Sequence, residues 1–334
     1  MTSSLVSQGQ VYLRSYLAPF NDILARPDVT DIYVNRPREI WSESLGGKIE
    51  RHDAPELNDT VLLRLAQQIA AFTHQGISRE HPILSATLPG GERIQIVIPP
   101  ATRDGIALAI RKQVVADMAL SDYETAGAFK PVRQGAVSET DQGNAELKAD
   151  LDAGNITGLL TRAVKGRRNI LVSGGTSTGK TTFLNALIRE VPAAERLIFI
   201  EDTPELHMRH ANVVGLLAAR SALGEATVST DDLLNASLRM RPDRVILGEL
   251  RGAEAYTFLR AVNTGHPGSM TTVHADSPER AVEQLALLIL QGGTQLRRED
   301  ILHYVRSTID VYVQLARING SRVVSDVRLR REVS

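Results

Sequence analysis

Residues 169–182 read NILVSGGTSTGKTT, and positions 174–181 within this stretch fit the pattern G-x-x-x-x-G-K-T. An apolar run at 170–172 precedes the glycines, and a segment with helical character follows them. Glycines let the backbone wrap around an anion with successive N–H groups pointing inward, and the following helix adds the positive end of its dipole. The stretch therefore predicts a strand, a phosphate-binding loop and a helix, rather than a turn with chance glycines.

The residue types of this loop assign roles within a nucleotide site. We expect Lys180 to reach the β- and γ-phosphates of ATP, and the hydroxyl of Thr181 to hold Mg²⁺. The predicted nucleotide contacts of the loop are Gly174, Gly175, Thr176, Ser177, Thr178, Gly179, Lys180, Thr181 and Thr182.

Composition excludes several other classes of function. The chain has 334 residues, which favours two domains, and its net charge of -1 argues against strong binding of nucleic acid. It contains no cysteine, so disulfides and cysteine nucleophiles are excluded. The first residues lack the pattern of a signal peptide, and no apolar run is long enough to span a bilayer. We therefore expect a cytoplasmic protein whose membrane association is peripheral.

Three regions of the chain differ in pattern. Residues 1–120 are typical of a small α+β domain, with helical apolar spacing at 11–24 and 57–72 and short strands after it. Residues 121–150 are rich in glycine, alanine and polar residues, which predicts a flexible linker with a short helix near 145–151. In residues 151–334, strands alternate with helices, which predicts a mostly parallel sheet covered on both faces.

The elements predicted for the third region alternate along the chain. Strands are expected at 169–173, 196–202, 244–249 and 269–274, and helices at 156–166, 181–190, 231–240, 253–264, 277–290 and 298–308. Two further strand-like runs, 310–318 and 322–329, flank Asn319 and Gly320, and this dipeptide predicts a hairpin.

Acidic residues follow two of the predicted strands. Glu201 and Glu205 come at and after the end of the second strand, and Glu249 follows the third. In an open α/β sheet the carboxyl ends of the strands line the ligand crevice, where acids orient water or bind metal. The alternatives are a solvated acidic loop for the first two, and an ion pair with Arg251 for Glu249. Glu249 suits either a water-orienting or a Mg²⁺-binding role, the latter directly or through water.

Basic residues and histidines surround the third and fourth predicted strands. Nucleotide hydrolysis spreads negative charge over the γ-phosphoryl oxygens, and an arginine of the same or a neighbouring chain can neutralise it. For any single arginine, a surface ion pair is the competing interpretation. His266 and His274 favour hydrogen bonding to phosphate or carboxylate over metal ligation, because no compact ligand spacing accompanies them. The arginines concerned are Arg239, Arg241, Arg244 and Arg251.

Together these motifs resemble the secretion ATPase superfamily, which includes the hexameric ATPases of type II secretion, type IV secretion and type IV pili. Four marks occur in the family's order: the loop GGTSTGKTT, an acidic box IEDTPEL, the Walker B segment VILGELR and a histidine box TGHPGSMTTVHA. The resemblance is close over 150–315 and weaker at LPGGERIQIVIPP and LAIRKQ in the first 120 residues. Ser177 departs from the family pattern, in which glycine is common, and this reduces backbone freedom.

The resemblance implies a fold and a set of roles. It implies a small α+β N-terminal domain followed by a RecA-like P-loop domain, with ATP and Mg²⁺ as cofactors. Glu205, or Glu201 beside it, would position the attacking water, and Glu249 would serve as the Walker B acid. Two histidines would sense the nucleotide state, and N-terminal arginines would cover it. The histidines are His266 and His274, and the arginines that match are Arg93 and Arg111.

The resemblance further implies a ring of six chains that works with inner-membrane and cytoplasmic components of an envelope machine. The short N-terminal region and the interval between the two histidines favour the type IV secretion branch. Tight-adherence and type IV pilus assembly ATPases remain alternatives within the superfamily. A nucleotide-gated adaptor with little turnover and a recombinase-type nucleic-acid motor are alternatives of other classes.

Overall fold

The computed structural model describes residues 12–112, 124–125, 139–219 and 225–333. It contains a six-stranded sheet from the first third of the chain and a seven-stranded sheet from the remainder. Residues 121–123 and 126–138 of the predicted linker lie outside the described residues. The predicted domain limits at 120 and 150 stay a prediction.

The first sheet is antiparallel throughout, in the order β3-β2-β1-β6-β5-β4. Helix α1 (Asn21–Ala25) precedes it, and α2 (Asp59–Phe72) packs its stripe of Leu62, Leu65 and Ile69 into the core. Helix α2 begins where the side chain of Asn58 accepts a hydrogen bond from the N–H of Val61. The strands are β1 (Val29–Val34), β2 (Glu39–Ser44), β3 (Ile49–Asp53), β4 (Ile83–Thr87), β5 (Arg93–Val97) and β6 (Ala107–Arg111).

The second sheet is parallel except at one edge, in the order β13-β12-β7-β11-β10-β8-β9. Its strands are β7 (Ile170–Gly174), β8 (Leu197–Glu201), β9 (Val213–Leu217), β10 (Arg244–Leu247), β11 (Met270–Val273), β12 (Val311–Ile318) and β13 (Ser321–Leu329). The helices of this part of the chain are α3 (Glu139–Asp152), α4 (Ile156–Lys165), α5 (Lys180–Ile188), α6 (Thr230–Leu238), α7 (Glu254–Asn263), α8 (Pro278–Gln291) and α9 (Arg298–Thr308).

This architecture confirms the predicted fold class of a small α+β unit followed by a mostly parallel α/β unit. The hairpin across Asn319 and Gly320 is present, and its antiparallel strands β12 and β13 form one edge of the sheet. The pattern analysis missed the opposite edge strand, β9. It also placed a short helix near 145–151, whereas α3 starts at Glu139. Both errors arise where the local pattern is weak and packing decides the conformation.

The two sheets pack against each other through one apolar cluster and a buried arginine. The cluster joins Tyr33 and Trp41 of the first sheet to Leu216 of the second. The guanidinium of Arg196 is fully buried, lies 4.0 Å from the centroid of the Tyr33 ring, and donates a hydrogen bond to the side chain of Asn35. The contact is therefore both apolar and specifically hydrogen-bonded.

A second buried arginine stabilises the parallel sheet from within. Arg244 at the start of β10 has no exposed side-chain surface, and Glu195 before β8 accepts two of its hydrogen bonds, at 2.6 Å and 2.9 Å. Its third nitrogen donates to the carbonyl of Val164 at 2.7 Å. Arg244, which the sequence placed among candidate charge-neutralising arginines, is thus bound inside the fold.

Glu195→Ala is expected to lower the free energy of unfolding by about 3–5 kcal/mol, because it leaves a buried guanidinium without its counter-charge. Urea unfolding followed by circular dichroism measures this change. Glu283→Ala is the control, since Glu283 pairs with Arg298 on the surface and such pairs contribute little. Equal effects of the two substitutions would contradict a structural role for the buried pair.

Candidate functional site

A cavity lies where the parallel strands end, beside the glycine-rich loop. Its volume is about 520 Å³, and its walls come from the loop, the end of β8, the end of β10 and the end of β11. The lining includes predicted site residues from all four sequence motifs, namely Lys180, Thr181, Glu201, Glu205, Glu249 and His274. The carboxyl edge of the sheet thus brings together groups that lie up to about a hundred residues apart in sequence.

The loop has the backbone shape of an anion cradle. Gly179 caps α5 with φ +93°, and a side chain there would place Cβ 3.1 Å from Cδ of Arg322. Ser177 also adopts positive φ, at 62°, so the position where the family commonly has glycine carries the strain expected for a side chain. The hydroxyl of Thr178 donates to the carbonyl of Gly175 at 2.8 Å, which stabilises the turn.

Lys180 lies in the centre of the cavity. Its Nζ donates to the carbonyl of Gly174 at 3.1 Å and lies 3.5 Å from the carboxylate of Glu249. Burial lowers the pKa of Lys180, and Glu249 opposes that shift by favouring the ammonium form. A phosphate brings further negative charge, which strengthens this opposition. The ammonium group is therefore placed to bind a second anion.

Glu249 is the acidic centre of the site. Its carboxylate oxygens lie 3.0 Å from Nε2 of His274 and 2.6 Å from Nε of Arg251. Arg251 also donates to Asp202 at 2.9 Å, and the hydrogen bond that Arg251 donates to Glu249 raises the pKa of Arg251. Glu249 therefore both pairs with Arg251 and lines the cavity. The ion-pair interpretation and the catalytic interpretation of Glu249 do not exclude each other.

The two acids of the IEDTPEL motif occupy different environments. Glu201 is buried, and its Oε1 accepts hydrogen bonds from the N–H groups of Glu205 at 2.8 Å and Leu206 at 2.7 Å. Its Oε2 accepts from Arg103 at 2.9 Å. Burial raises the pKa of Glu201, although these donors oppose the shift. Glu205 is exposed at the cavity wall, so of the two candidates it is the one with a carboxylate free to contact water.

The structure brings His274 into the cavity but places His266 elsewhere. His266 precedes β11, at the end of the strand opposite to His274, and its Nδ1 donates to the carbonyl of Pro242 at 3.0 Å. Burial lowers the pKa of His266. Only His274 is therefore in a position to respond directly to a group bound at the loop.

The predicted nucleotide-binding arginines lie outside this cavity within one chain. Arg93, Arg111 and Arg239 line a second cavity of about 550 Å³ between the first sheet and the end of α6. Arg241 donates to Glu43 on β2 at 2.6 Å, which makes it part of the contact between the sheets. None of these four residues lines the cavity at the loop.

Arg322 is a lining residue to which the sequence analysis gave no role. It follows the Asn319–Gly320 turn on β13, and it lines both the cavity at the loop and a smaller one of about 210 Å³ beside Phe183. The predicted hairpin was the available signal, but local pattern could not show that the hairpin folds over the phosphate loop. Its guanidinium adds positive charge next to Gly179.

The donor set of the cavity fits Mg²⁺ bound mainly through phosphate and water. Among the described residues there is no group of three or more metal-binding side chains that could form a complete protein site. Mg²⁺ commonly keeps several waters and takes only one or two protein ligands beside substrate phosphates. Thr181 and Glu249, both in the cavity wall, supply a hydroxyl and a carboxylate of the required kind.

None of the described helices has the length and apolar character needed to cross a membrane.

Comparisons with known proteins extend over nearly the whole chain. Residues 17–317 match the family model described as Type II/IV secretion system protein. The Type IV secretion system protein VirB11 of Bartonella quintana is 39% identical over 324 residues, covering 93% of this chain and 91% of the relative. The protein of the same name from Brucella suis is 42% identical over 306 residues, covering 90% of this chain and 84% of the relative.

A solved structure agrees with these matches. The crystal structure of the VirB11 ATPase from the Brucella suis type IV secretion system, in complex with sulphate, superposes with a TM-score of 0.91 and 38% identity. The match covers 99% of this chain and 98% of that one. The family resemblance expected from the motifs is thereby confirmed, and the chain belongs to the family of type II/IV secretion system proteins.

Proposed function

We propose that this protein is a Mg²⁺-dependent ATPase of a type IV secretion system that works as a ring of six chains. The observation that carries the proposal is the meeting of Lys180, Glu205, Glu249 and His274 around one cavity at the phosphate loop. The similarity to proteins named as type IV secretion system components, at about 40% identity over most of the chain, supports the choice of branch.

The cavity residues divide the work of phosphoryl transfer to water. The N–H groups of the loop and the ammonium of Lys180 bind the phosphates and neutralise the charge that grows on them. Thr181 and Glu249 would hold Mg²⁺, which would supply charge neutralisation at the phosphates. The carboxylate of Glu205 orients the attacking water. His274 lies 3.3 Å from Lys180 and 3.0 Å from Glu249, so it would change its hydrogen-bond partner when a phosphate binds to Lys180.

The arrangement favours turnover over the nucleotide-gated adaptor. An adaptor needs a phosphate loop but has no use for two further carboxylates in the same cavity, and Glu205 and Glu249 are both present there. A tight-adherence or type IV pilus assembly ATPase remains the second candidate, because it uses the same site.

We propose the ring because three cations share a second cavity with little carboxylate compensation from the residues that the structure describes. Arg93, Arg111 and Arg239 converge on one cavity. Nε of Arg111 lies 4.0 Å from a carboxylate oxygen of Asp31 on β1. If a neighbouring chain presents its nucleotide at this face, Arg93 and Arg111 act on that neighbour's phosphates. Side-by-side contacts of this kind are heterologous, and they form a ring when the rotation from chain to chain closes on itself.

The partners and location follow from the same proposal. An ATPase of this family would dock on inner-membrane and cytoplasmic components of the secretion machine. It would then lie in the cytoplasm and reach the inner membrane through those partners.

Lys180→Ala is expected to reduce ATP turnover by roughly 10²-fold or more, because the phosphate charge loses its ammonium partner in the transition state. Phosphate release measured under saturating ATP and Mg²⁺ tests this. Lys165→Ala, on the exposed end of α4, removes a lysine outside the cavity and should leave turnover unchanged. Near-normal turnover of the Lys180 variant would remove the phosphate-loop assignment.

Glu249→Gln is expected to bind ATP with an affinity within a few-fold of wild type while hydrolysing it slowly. The amide keeps the size of the side chain but not the charge that orients water or Mg²⁺. Fluorescent-nucleotide titration and single-turnover hydrolysis separate the two effects. If binding is lost together with hydrolysis, Glu249 maintains the structure of the site rather than its chemistry.

Mixed rings distinguish arginines that act on a neighbour from arginines that act within their own chain. Lys180→Ala chains and Arg93→Ala/Arg111→Ala chains should each be inactive alone. Co-expressed rings should regain activity at the roughly one-quarter of random interfaces that join an intact loop to intact arginines. Rings that mix Lys180→Ala with Glu249→Gln serve as the inactive control. Mixed rings as inactive as their parents would place the arginines' action within one chain.

A further inference from the structure

The first sheet reaches the nucleotide-binding sheet through the loop that joins β5 to β6. The N–H of Arg103 in this loop donates to the carbonyl of Gly215 at 3.0 Å, and the N–H of Leu217 donates to the carbonyl of Ala101 at 2.9 Å. Thr102 forms an antiparallel bridge with Leu216 between these two bonds. The loop thus adds a short strand to the free edge of β9.

The side chain of Arg103 crosses β9 over Gly215. A Cβ on Gly215 would lie 2.3 Å from Cδ of Arg103, which is closer than real Cβ contacts come. The absence of a side chain at 215 therefore creates the channel along which the arginine runs from the edge of the sheet towards β8. Gly215 has no positive φ, so the need for glycine there is steric rather than conformational.

The guanidinium contacts the loop at 202–207, which carries Glu205 and is called the acidic loop below. Its Nη1 donates to Oε2 of Glu201 at 2.9 Å and to the carbonyl of Leu206 at 2.8 Å. The other oxygen of Glu201 accepts from the N–H groups of Glu205 and Leu206. Arg103 and Glu201 together therefore fix the backbone on both sides of Glu205.

The phosphate-loop helix holds the same segment from the other side. Asn185 on α5 donates to the carbonyl of Glu205 at 3.1 Å and accepts from the N–H of His207 at 2.7 Å. The backbone of Glu205 is thus suspended between the phosphate loop and the first sheet, while its carboxylate lines the cavity. Displacing either support displaces the carboxylate.

We propose that Arg103 is a positioning residue for ATP hydrolysis, which sets Glu205 through Glu201 and makes turnover depend on the docking of the chain's own N-terminal sheet. This inference rests on the proposed function, because it assigns the water-orienting role to Glu205. It adds a regulatory consequence: any movement of the N-terminal sheet that withdraws the β5–β6 loop from β9 also releases the acidic loop. A change at Arg103 should therefore lower the rate of ATP hydrolysis without weakening nucleotide binding at Lys180.

The test compares Arg103→Gln with Arg36→Gln in the full-length protein. Arg36 is a matched control because it also makes a hydrogen bond between the sheets, to the carbonyl of Ala211 at 3.2 Å, but does not touch the acidic loop. Arg103→Gln should lower kcat by about 10- to 100-fold, as a small misplacement of a reacting group does. KM for ATP should change by no more than about two-fold, since binding is left intact.

Two further variants probe the route of the effect. Gly215→Ala keeps Arg103 but blocks its channel, so it should lower kcat as Arg103→Gln does, and it should have little added effect in an Arg103→Ala background. Arg103→Lys restores one charged donor and should recover part of kcat. Hydrogen exchange of residues 202–207 should rise in Arg103→Gln and stay unchanged in Arg36→Gln, and this readout does not require turnover.

The outcomes separate this inference from the proposed function. A wild-type protein that does not hydrolyse ATP overturns the proposed function, and the exchange measurement then still decides whether Arg103 holds the loop. Equal loss of kcat in the Arg103 and Arg36 variants, or unchanged exchange at 202–207, overturns the positioning role. A fall in kcat confined to the Arg103 and Gly215 variants, with faster exchange at 202–207, supports it.

Discussion

The parallel pairing of β7 with β11, and of β10 with β8, is the constraint on which the site depends. Parallel strands run in one direction, so all their carboxyl ends reach the same edge of the sheet. The phosphate loop after β7 therefore meets the acids after β8 and β10 and the histidine after β11, although these groups are far apart in sequence. Helices cover both faces of the sheet, so these strands are almost completely buried. This burial stabilises their register.

Electrostatics inside the cavity favours a site that exchanges partners. Lys180, His274 and Arg251 all converge on the single carboxylate of Glu249. An incoming phosphate competes with Glu249 for Lys180 and Arg251, and each of these two cations that turns to the phosphate leaves Glu249 less neutralised. Binding and the state of the acid are thereby linked through charge, which is the property a nucleotide-driven machine requires. Arg251 extends this link to Asp202 on the acidic loop.

Packing between the two sheets connects this cavity to the N-terminal sheet. One apolar cluster contains residues of both sheets, and the buried guanidinium of Arg196 bonds to Asn35 across the contact. This contact is stable in a single arrangement, because a shift of one sheet against the other would leave the buried guanidinium of Arg196 without its hydrogen bonds. The route from Arg103 through Glu201 to Glu205 runs along the same contact, so the docking of the N-terminal sheet and the geometry of the acidic loop change together.

The local features of this protein were predictable from its sequence. The strand, loop and helix around Lys180, the hairpin at Asn319 and Gly320, and the alternation of strands and helices each follow from short-range pattern and residue chemistry. The edge strand β9 was missed because a short apolar run without turn signals fits either a strand or a buried segment. Family resemblance added the assignment of acids and histidines, which pattern alone left open.

Tertiary structure decided which of the candidate residues share a site. His266 and His274 lie eight positions apart in one motif, yet the strand between them carries them to opposite ends of the sheet. Glu201 and Glu205 looked interchangeable in sequence, but burial and Arg103, 98 residues away, made one a support and left the other exposed. The sequence by itself determined the chemistry of the phosphate loop, because that chemistry is local. The roles of the surrounding charges depend on contacts between distant residues, and only the folded chain creates those contacts.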